Sequence, residues 1–523
     1  MPPRPVPHAA GRGAQASRHD RLEDRVLSPF PPGDYDVVVV GTGPAGLQTS
    51  YCLTRGGVPN HALLSADDAP GGMFRRFPVF ERLISWTKPD APYDRRSREY
   101  ECYDHNSLVA DEPEARALVA NQMDRSFDVP ARAEMEAGLV EFTERAGIRA
   151  RYGCRWTGTR RDGDAFVLET THGEYRCRMA VFAIGMTEPW SPPLAGGEHA
   201  THYVDTGTAE SYRDKRVVII GKRNSGFELA YGLLPWTREL TLISPRPVDI
   251  SVLAHSPLRV RYLQPYEEYV RGSAGIYVVD AAIASIERGA DGFRVVADGT
   301  TWDGRLSFAA DEVILATGFK APLGDLRELG VITVINDRVP ALTRFWESVS
   351  VPGIFFAGNI TIAARGLQKN GLAPNSSSVN GFRYNARVLA AHIAERLGVE
   401  RPRRALEAGE VVPLLLDELA HGPEVSIQKG YLARVVSVDD ATGIRDEGIL
   451  PLEHFVDGAT GPDAVAVAVE MGADGSIYPG VYVRRGGEIE ERELDPHPVR
   501  AFDGEPYRRE LERLLRPLLG SAA

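Results

Sequence analysis

An unbroken run of valines, Val37-Val38-Val39-Val40, passes directly into Gly41-Thr42-Gly43-Pro44-Ala45-Gly46 and then into an apolar stretch of helical character. A strand with no polar face has to be covered on both sides, which commits the chain to a layered α/β arrangement around a parallel sheet. The glycine spacing has separable physical reasons. Gly41 permits a tight turn, Gly43 lets the backbone approach a pyrophosphate, and Gly46 lets the helix close on the strand. The helix N-terminus adds unpaired N–H groups and the positive end of its dipole. In the order strand, turn, helix, the motif predicts a dinucleotide phosphate site, with Pro44 and Ala45 opening the helix. The plainer alternative is a glycine-rich turn without ligand.

The same order recurs over residues 216–231, where Val217-Val218-Ile219-Ile220 leads into Gly221-Lys222-Arg223-Asn224-Ser225-Gly226 and the helical Phe227-Glu228-Leu229-Ala230. Arg223 replaces the middle glycine, so the match leans on a later strand, 312–315, that runs into Ala316-Thr317-Gly318-Phe319. Two such units predict two nucleotide sites. A third apolar strand, 351–356, ends in Ala357-Gly358-Asn359. Between the first two units, residues 131–146 read as a helix and residues 150–185 as antiparallel strands. The stretch 74–125, rich in Arg, Tyr, Asp and Pro, reads as loops and short helices, where sites often lie. After Pro402 the composition shifts, and 465–469 and 477–483 alternate about a turn, predicting a hairpin. A final helix over 507–519 is expected to kink or end early at Pro517.

The expected fold class is therefore α/β, with two Rossmann-like dinucleotide-binding domains, the second inserted into the first, and a small β-rich C-terminal domain. Expected boundaries are a disordered arm over 1–34, the first domain over 35–205 and 326–400, the inserted domain over 206–325, and the last domain over 401–523.

With 60 Lys+Arg against 72 Asp+Glu the chain of 523 residues carries a formal charge of −12, which disfavours nucleic acid as a partner. No apolar run approaches the roughly 18 residues a membrane span needs, and the N-terminal residues are not signal-like. A cytoplasmic protein is expected. Its cysteines, Cys52, Cys102, Cys154 and Cys177, form no CxxC pair and no zinc-type cluster.

The slot that usually holds a ribose-binding carboxylate after the first unit is Ser65, followed by Asp67 and Asp68 and then by Gly71-Gly72-Met73-Phe74, where a second turn is expected against the cofactor. In the second unit the equivalent strand ends in Ser244-Pro245-Arg246 without a carboxylate. A carboxylate there would repel a 2′-phosphate; Ser244, Arg246 and Arg223 would instead hold one, so NADPH is favoured over NADH. Arg246 as a plain surface residue is the alternative.

Taken together, the order of motifs over residues 35–398 resembles the class B flavin monooxygenase and thioredoxin-reductase-like superfamily. Within it, Arg76-Phe77-Pro78, Arg82-Leu83-Ile84-Ser85, Asp104-His105-Asn106-Ser107-Leu108 and Gly381-Phe382-Arg383-Tyr384 resemble the family of FAD-dependent oxidoreductase domain-containing proteins. The resemblance implies FAD on the first unit, with Gly358 and Asn359 on its ribityl side, and NADPH on the second, with Thr317 and Gly318 turning the chain back. Ser376 to Ser378 offer N-caps for the following helix.

A disulfide reductase passes electrons to a cysteine pair, and this sequence has none. The resemblance then implies a monooxygenase acting through a flavin C4a-hydroperoxide on a small molecule, using molecular oxygen, with a nitrogen or other heteroatom favoured. A dehydrogenase or oxidase without oxygen transfer, and a flavin-bearing binding or assembly protein, stay open. The Baeyer–Villiger pattern is not met, since Gly197 and His202 are one residue too far apart and Thr206 stands in the aromatic position. Lys88, Asp104 and Asn106 are the candidate catalytic groups, with turn-capping or surface roles as alternatives. Arg365, Lys369 and Asn370 are candidate substrate contacts, and a homodimer is possible.

Overall fold

The computed structural model describes residues 29–80, 82–248, 275–458 and 460–520. The chain enters at β1 (Gly33–Val40), turns into α1 (Pro44–Arg55) and returns as β2 (His61–Leu64), parallel to β1 with Val37 opposite His61 and Val40 opposite Leu64. After the inserted segment and α2 (Arg132–Arg145), an antiparallel ribbon delivers β3 (Gly173–Phe182) to the other side of β1, again in parallel. The valines of β1 divide between two cores. Val37 and Val39 pack with Leu47, Leu53 and Leu389, whereas Val38 and Val40 pack with Leu64, Phe182 and Phe356. That division is why the run lacks any polar position.

The second sheet is built from β4 (Arg216–Ile220), α3 (Asn224–Leu233), β5 (Glu239–Ser244), β6 (Ile276–Gly289) and β7 (Glu312–Leu315). β6 pairs in parallel with β5 through Asp280, then continues antiparallel to Gly292–Gly299. The chain enters this sheet before residue 205, because Thr201–His202 already pairs with β7. Glu188–Pro189 pairs antiparallel with Phe319–Lys320, so the two crossings between the units run side by side. β8 (Ile354–Phe356) then rejoins β3, and α4 (Val379–Arg396) packs against α1. The molecule is thus an α/β protein with two parallel-cored nucleotide-type units.

The remaining residues form a six-stranded antiparallel sheet covered by α5 (Ala408–His421) and α6 (Glu505–Leu519). The predicted hairpin is present as Asp463–Met471 and Ile477–Arg485, and both of its faces are buried. Val465, Val467 and Val469 face Leu415 and Leu511, while Ala464, Ala466 and Ala468 face Leu452 and Phe455. Pro517 does not stop α6, which runs to Leu519. The backbone bond it forfeits lies only in the last turn, and buried Leu514 and Leu515 hold that turn to the core.

Residues 1–28 of the expected arm lie outside the described residues. Its end is not loose: Tyr175 donates to the Phe30 carbonyl at 2.8 Å and Tyr35 to that of Pro31 at 2.7 Å. Nor does the C-terminal sheet stand apart. Arg98 pairs with Glu418 at 2.7 Å, and Lys369 reaches Glu470 at 2.7 Å while also pairing with Glu491. Among the described residues, no helix is long and apolar enough to cross a membrane.

Candidate cofactor and active site

The first glycine turn is closed by sterics. Gly41 sits at φ +110°, where a Cβ would lie 2.5 Å from the Ala183 carbonyl oxygen, and a Cβ on Gly46 would lie 1.8 Å from that of Gly41. Gly43 differs, since its backbone is extended and a Cβ would meet only the Gly72 Cα, at 3.8 Å. The space above Gly43 is therefore open, and it lies at the N-terminus of α1, where a phosphate fits.

Three further segments converge on it. Gly71 donates to the Thr42 carbonyl at 3.0 Å, and Gly72, at φ +57°, lies so near Gly43 that a Cβ would come within 2.7 Å of the Gly43 Cα. Met73 and Phe74 follow in a short 3₁₀ turn. Gly358, at φ +91°, faces the Ala45 Cβ, and the Asn359 amide lies 3.9 Å from the Met73 sulfur. Glycines thus line the approach from each side, a cradle that side chains would fill, and it fits a dinucleotide such as FAD.

Ser65 is buried and its hydroxyl already serves the turn, bonding to Thr42 Oγ1 at 2.7 Å and accepting from the Asp67 N–H at 3.2 Å. Ser378 occupies the N-cap position of α4 without capping it. Its hydroxyl turns to Asn375 Oδ1 at 2.8 Å and Asn380 Oδ1 at 2.6 Å, and Ser376 accepts from Asn385. The neighbouring asparagines outcompete the backbone for these hydroxyls.

The second turn repeats the first. A Cβ on Gly221 would lie 2.4 Å from the Ala316 carbonyl oxygen, and one on Gly226 would lie 2.1 Å from that of Gly221. Exposed Arg223 takes the N-cap position of α3, followed by Asn224, whose Oδ1 is buried without a hydrogen-bond partner, and by Ser225. Thr317 donates to the Trp190 carbonyl at 2.7 Å, and Gly318 accepts from the Trp190 N–H at 3.0 Å, so both lock the crossing between units. Arg338 lies beside them, donating to the Phe319 carbonyl at 2.8 Å with its guanidinium 4.6 Å from the Trp190 ring. Burial, and then the charge of Arg223, lower its pKa. No local pattern singles out Arg338, because only the fold brings it to this turn.

At the far edge of the turn, Ser244 is half-buried and Arg246 exposed. The strand they end lacks a carboxylate, as read from the sequence, but the fold supplies one from the next strand. Asp280 stands in register with Ser244, held by the buried Lys222 ammonium and by Thr301 Oγ1 at 3.2 Å. A carboxylate is therefore present at this edge, paired with the Lys222 ammonium.

Between the units, Phe77 packs on Tyr203 and Phe319 at ring distances of 5.9 and 5.6 Å, and the Phe80 N–H donates to Glu228 Oε1 at 2.7 Å. Burial pushes the Glu228 carboxyl up to about 6. A carboxyl raised in the folded state contributes stability that is whole below its unfolded pKa and lost as pH rises through about 6. Glu228→Gln is therefore expected to stabilise the protein at pH 8 by about 1–2 kcal/mol and to leave it unchanged near pH 4. Urea unfolding of both proteins at the two pH values checks this; an equal difference at both would show that ionisation of Glu228 is not the source.

The three candidate catalytic groups do not gather at the glycine cradle through any contact among the described residues. Lys88 is exposed. Asp104 accepts from Thr87 Oγ1 at 2.9 Å, from the Asn106 and Ser107 N–H groups at 3.0 Å each, and from the Ser107 hydroxyl. Asn106 donates to the Ser85 carbonyl and to Thr87 Oγ1, each at 2.9 Å. Of the candidate substrate contacts, Lys369 and Asn370 are spent on the C-terminal sheet and Arg365 is exposed.

A family model described as pyridine nucleotide-disulphide oxidoreductase matches residues 38–358. Among curated proteins, FAD-dependent oxidoreductase domain-containing protein 2 of Danio rerio is 30% identical over 229 residues, 42% of this chain and only 32% of that protein's length. Among solved structures, the bacillithiol disulfide reductase Bdr of Bacillus cereus is similar with a TM-score of 0.52 at 20% identity, over 70% of this chain and all of that one. A flavin-containing monooxygenase of Stenotrophomonas maltophilia is similar with a TM-score of 0.51 at 22% identity, over 70% and 99%. At such identities the structural likeness speaks for the fold.

Proposed function

The chain belongs to the pyridine nucleotide-disulphide oxidoreductase family, and from that premise we propose that this FAD-dependent pyridine-nucleotide oxidoreductase is a monooxygenase. It takes electrons from NADPH and transfers oxygen to a heteroatom, nitrogen in preference, of a small molecule in the cytoplasm. The observation that carries this reading is the state of its cysteines. All four are free, and burial pushes the Cys52 thiol up to about 11 and that of Cys177 up to about 12. A thiol is already reduced and accepts no electrons, and the sequence holds no CxxC pair to form the disulfide through which a reductase would pass them.

In this reading the backbone at Gly41, Gly43 and Gly46 holds the pyrophosphate of FAD, with Gly71, Gly72, Met73 and Phe74 on one side and Gly358 and Asn359 on the other. When bound, FAD supplies the hydride acceptance and the oxygen chemistry. The second turn holds NADPH at Gly221, Asn224, Ser225 and Gly226, and Arg223, Ser244 and Arg246 surround its 2′-phosphate, while Arg338 stands on the opposite, Gly318 side of the turn. Lys222 keeps Asp280 from opposing that phosphate.

The test is anaerobic reduction of the flavin by NADPH and by NADH, followed by mixing with oxygen. The expected result is reduction at least tenfold faster by NADPH, then a transient absorbing species distinct from oxidised and reduced flavin. Direct return to oxidised flavin with stoichiometric hydrogen peroxide, with or without candidate amines, would overturn the oxygen-transfer reading in favour of an oxidase.

A further inference from the structure

The inserted segment carries a feature that neither cofactor site uses. A cavity of about 550 Å³ opens among Arg95, Arg96, Arg116 and Arg145, against one lining carboxylate, Glu114. It lies away from the glycine cradle. The segment that forms its wall rests on the middle and C-terminal end of α1, through Gln48 to Val109 at 2.9 Å and Tyr51 to Glu112, whereas the cradle sits at the opposite end of that helix.

The arginines are held in place by bonds that leave N–H groups unused. Arg116 donates through Nε to the Ala110 carbonyl at 2.9 Å and through Nη1 to that of Ser97 at 2.8 Å. Arg95 donates to Asn121 Oδ1 at 3.0 Å, which fixes its guanidinium against the cavity wall. The acids that pair with these groups are shared. Asp90 serves Arg125 as well as Arg95; Glu101, 3.5 Å from Arg116, also accepts from Tyr384; and Glu141, 2.5 Å from Arg145, also accepts from Gln122. Among the described residues, Arg96 makes no ion pair at all. Several guanidiniums around one hollow repel each other unless an anion lies between them, and their planar forks match phosphate oxygens. The volume falls within the range of small-molecule sites, and Pro113 and Leu118 give it an apolar wall.

We propose that this cavity is a binding site for a phosphate-bearing small molecule, separate from both dinucleotide sites. A long polyanion is a poor fit, since the chain as a whole carries −12. Arg116 also links the wall to Glu101, which the buried Arg383–Tyr384 pair of α4 holds, so occupancy here bears on the helix that follows the third flavin-side strand.

The test uses the full-length, FAD-loaded protein saturated with NADP⁺, so that the phosphate positions assigned to the two dinucleotides are filled, and titrates inorganic pyrophosphate by calorimetry. Binding is expected that weakens with ionic strength, that falls at least tenfold in the doubly substituted Arg96→Ala, Arg145→Ala protein, whose altered residues are both exposed, and that is unmoved by Arg223→Ala. The site is ruled out by absence of binding up to millimolar pyrophosphate, by unchanged affinity in the double variant, or by loss of binding in Arg223→Ala.

Discussion

Gly43→Ala is expected to yield a folded protein without its flavin. The Gly43 backbone is extended, so alanine adopts it without strain, and the added methyl meets nothing nearer than 3.8 Å. It does, however, stand where a pyrophosphate has to touch the backbone at the N-terminus of α1. Affinity for FAD should fall about 100-fold or more, equivalent to about 3 kcal/mol, while the far-ultraviolet circular dichroism stays that of the parent. Fluorescence quenching on adding FAD to the apoprotein measures the loss. Retention of parental affinity would place the flavin somewhere other than this cradle. Gly46→Ala makes the contrast, because a Cβ only 1.8 Å from the Gly41 oxygen forces the turn itself apart.

Asp104→Ala is expected to cost about 3–5 kcal/mol of stability, with little change in the rate of flavin reduction per folded molecule. Its carboxylate gathers Thr87, Asn106 and Ser107, and Ser107 passes the order on, accepting from the Val119 N–H at 2.7 Å while its carbonyl accepts from Arg383 at 2.6 Å. Without the carboxylate these donors are stranded in the interior. Denaturant midpoints together with anaerobic reduction rates decide the matter. Unchanged stability with lost turnover would make Asp104 a catalytic residue after all.

What could be read from the sequence, and what could not, follows from the range over which each signal acts. The valine run, the glycine turns and the 131–146 helix are local patterns, and each appears as β1, the two turns and α2. Asp104 and Asn106 were legible as polar groups in an insertion, but the same residue types serve equally as fasteners, and only their partners tell the roles apart. Asp280 escaped because it reaches the nucleotide edge from a neighbouring strand and not from the strand where a carboxylate is sought. The hairpin was legible as alternation about a turn, but alternating valine and alanine does not tell that both faces are covered, by helices on one side and by Leu452 and Phe455 on the other. Lys369 and Asn370 lie just after the third flavin-side strand, yet their partners are a hundred residues on, in the C-terminal sheet.

Ala183 and Ala316 appear in no glycine fingerprint, yet each closes its turn from the end of a strand far along the chain. The turn is accordingly one half of a socket, and the other half is inherited separately. Recombination that carried the glycines into a new βα unit would bring a working loop only if a residue of alanine size awaited it across the sheet. Within this chain both sockets already match, each turn meeting an alanine at the end of a distant strand.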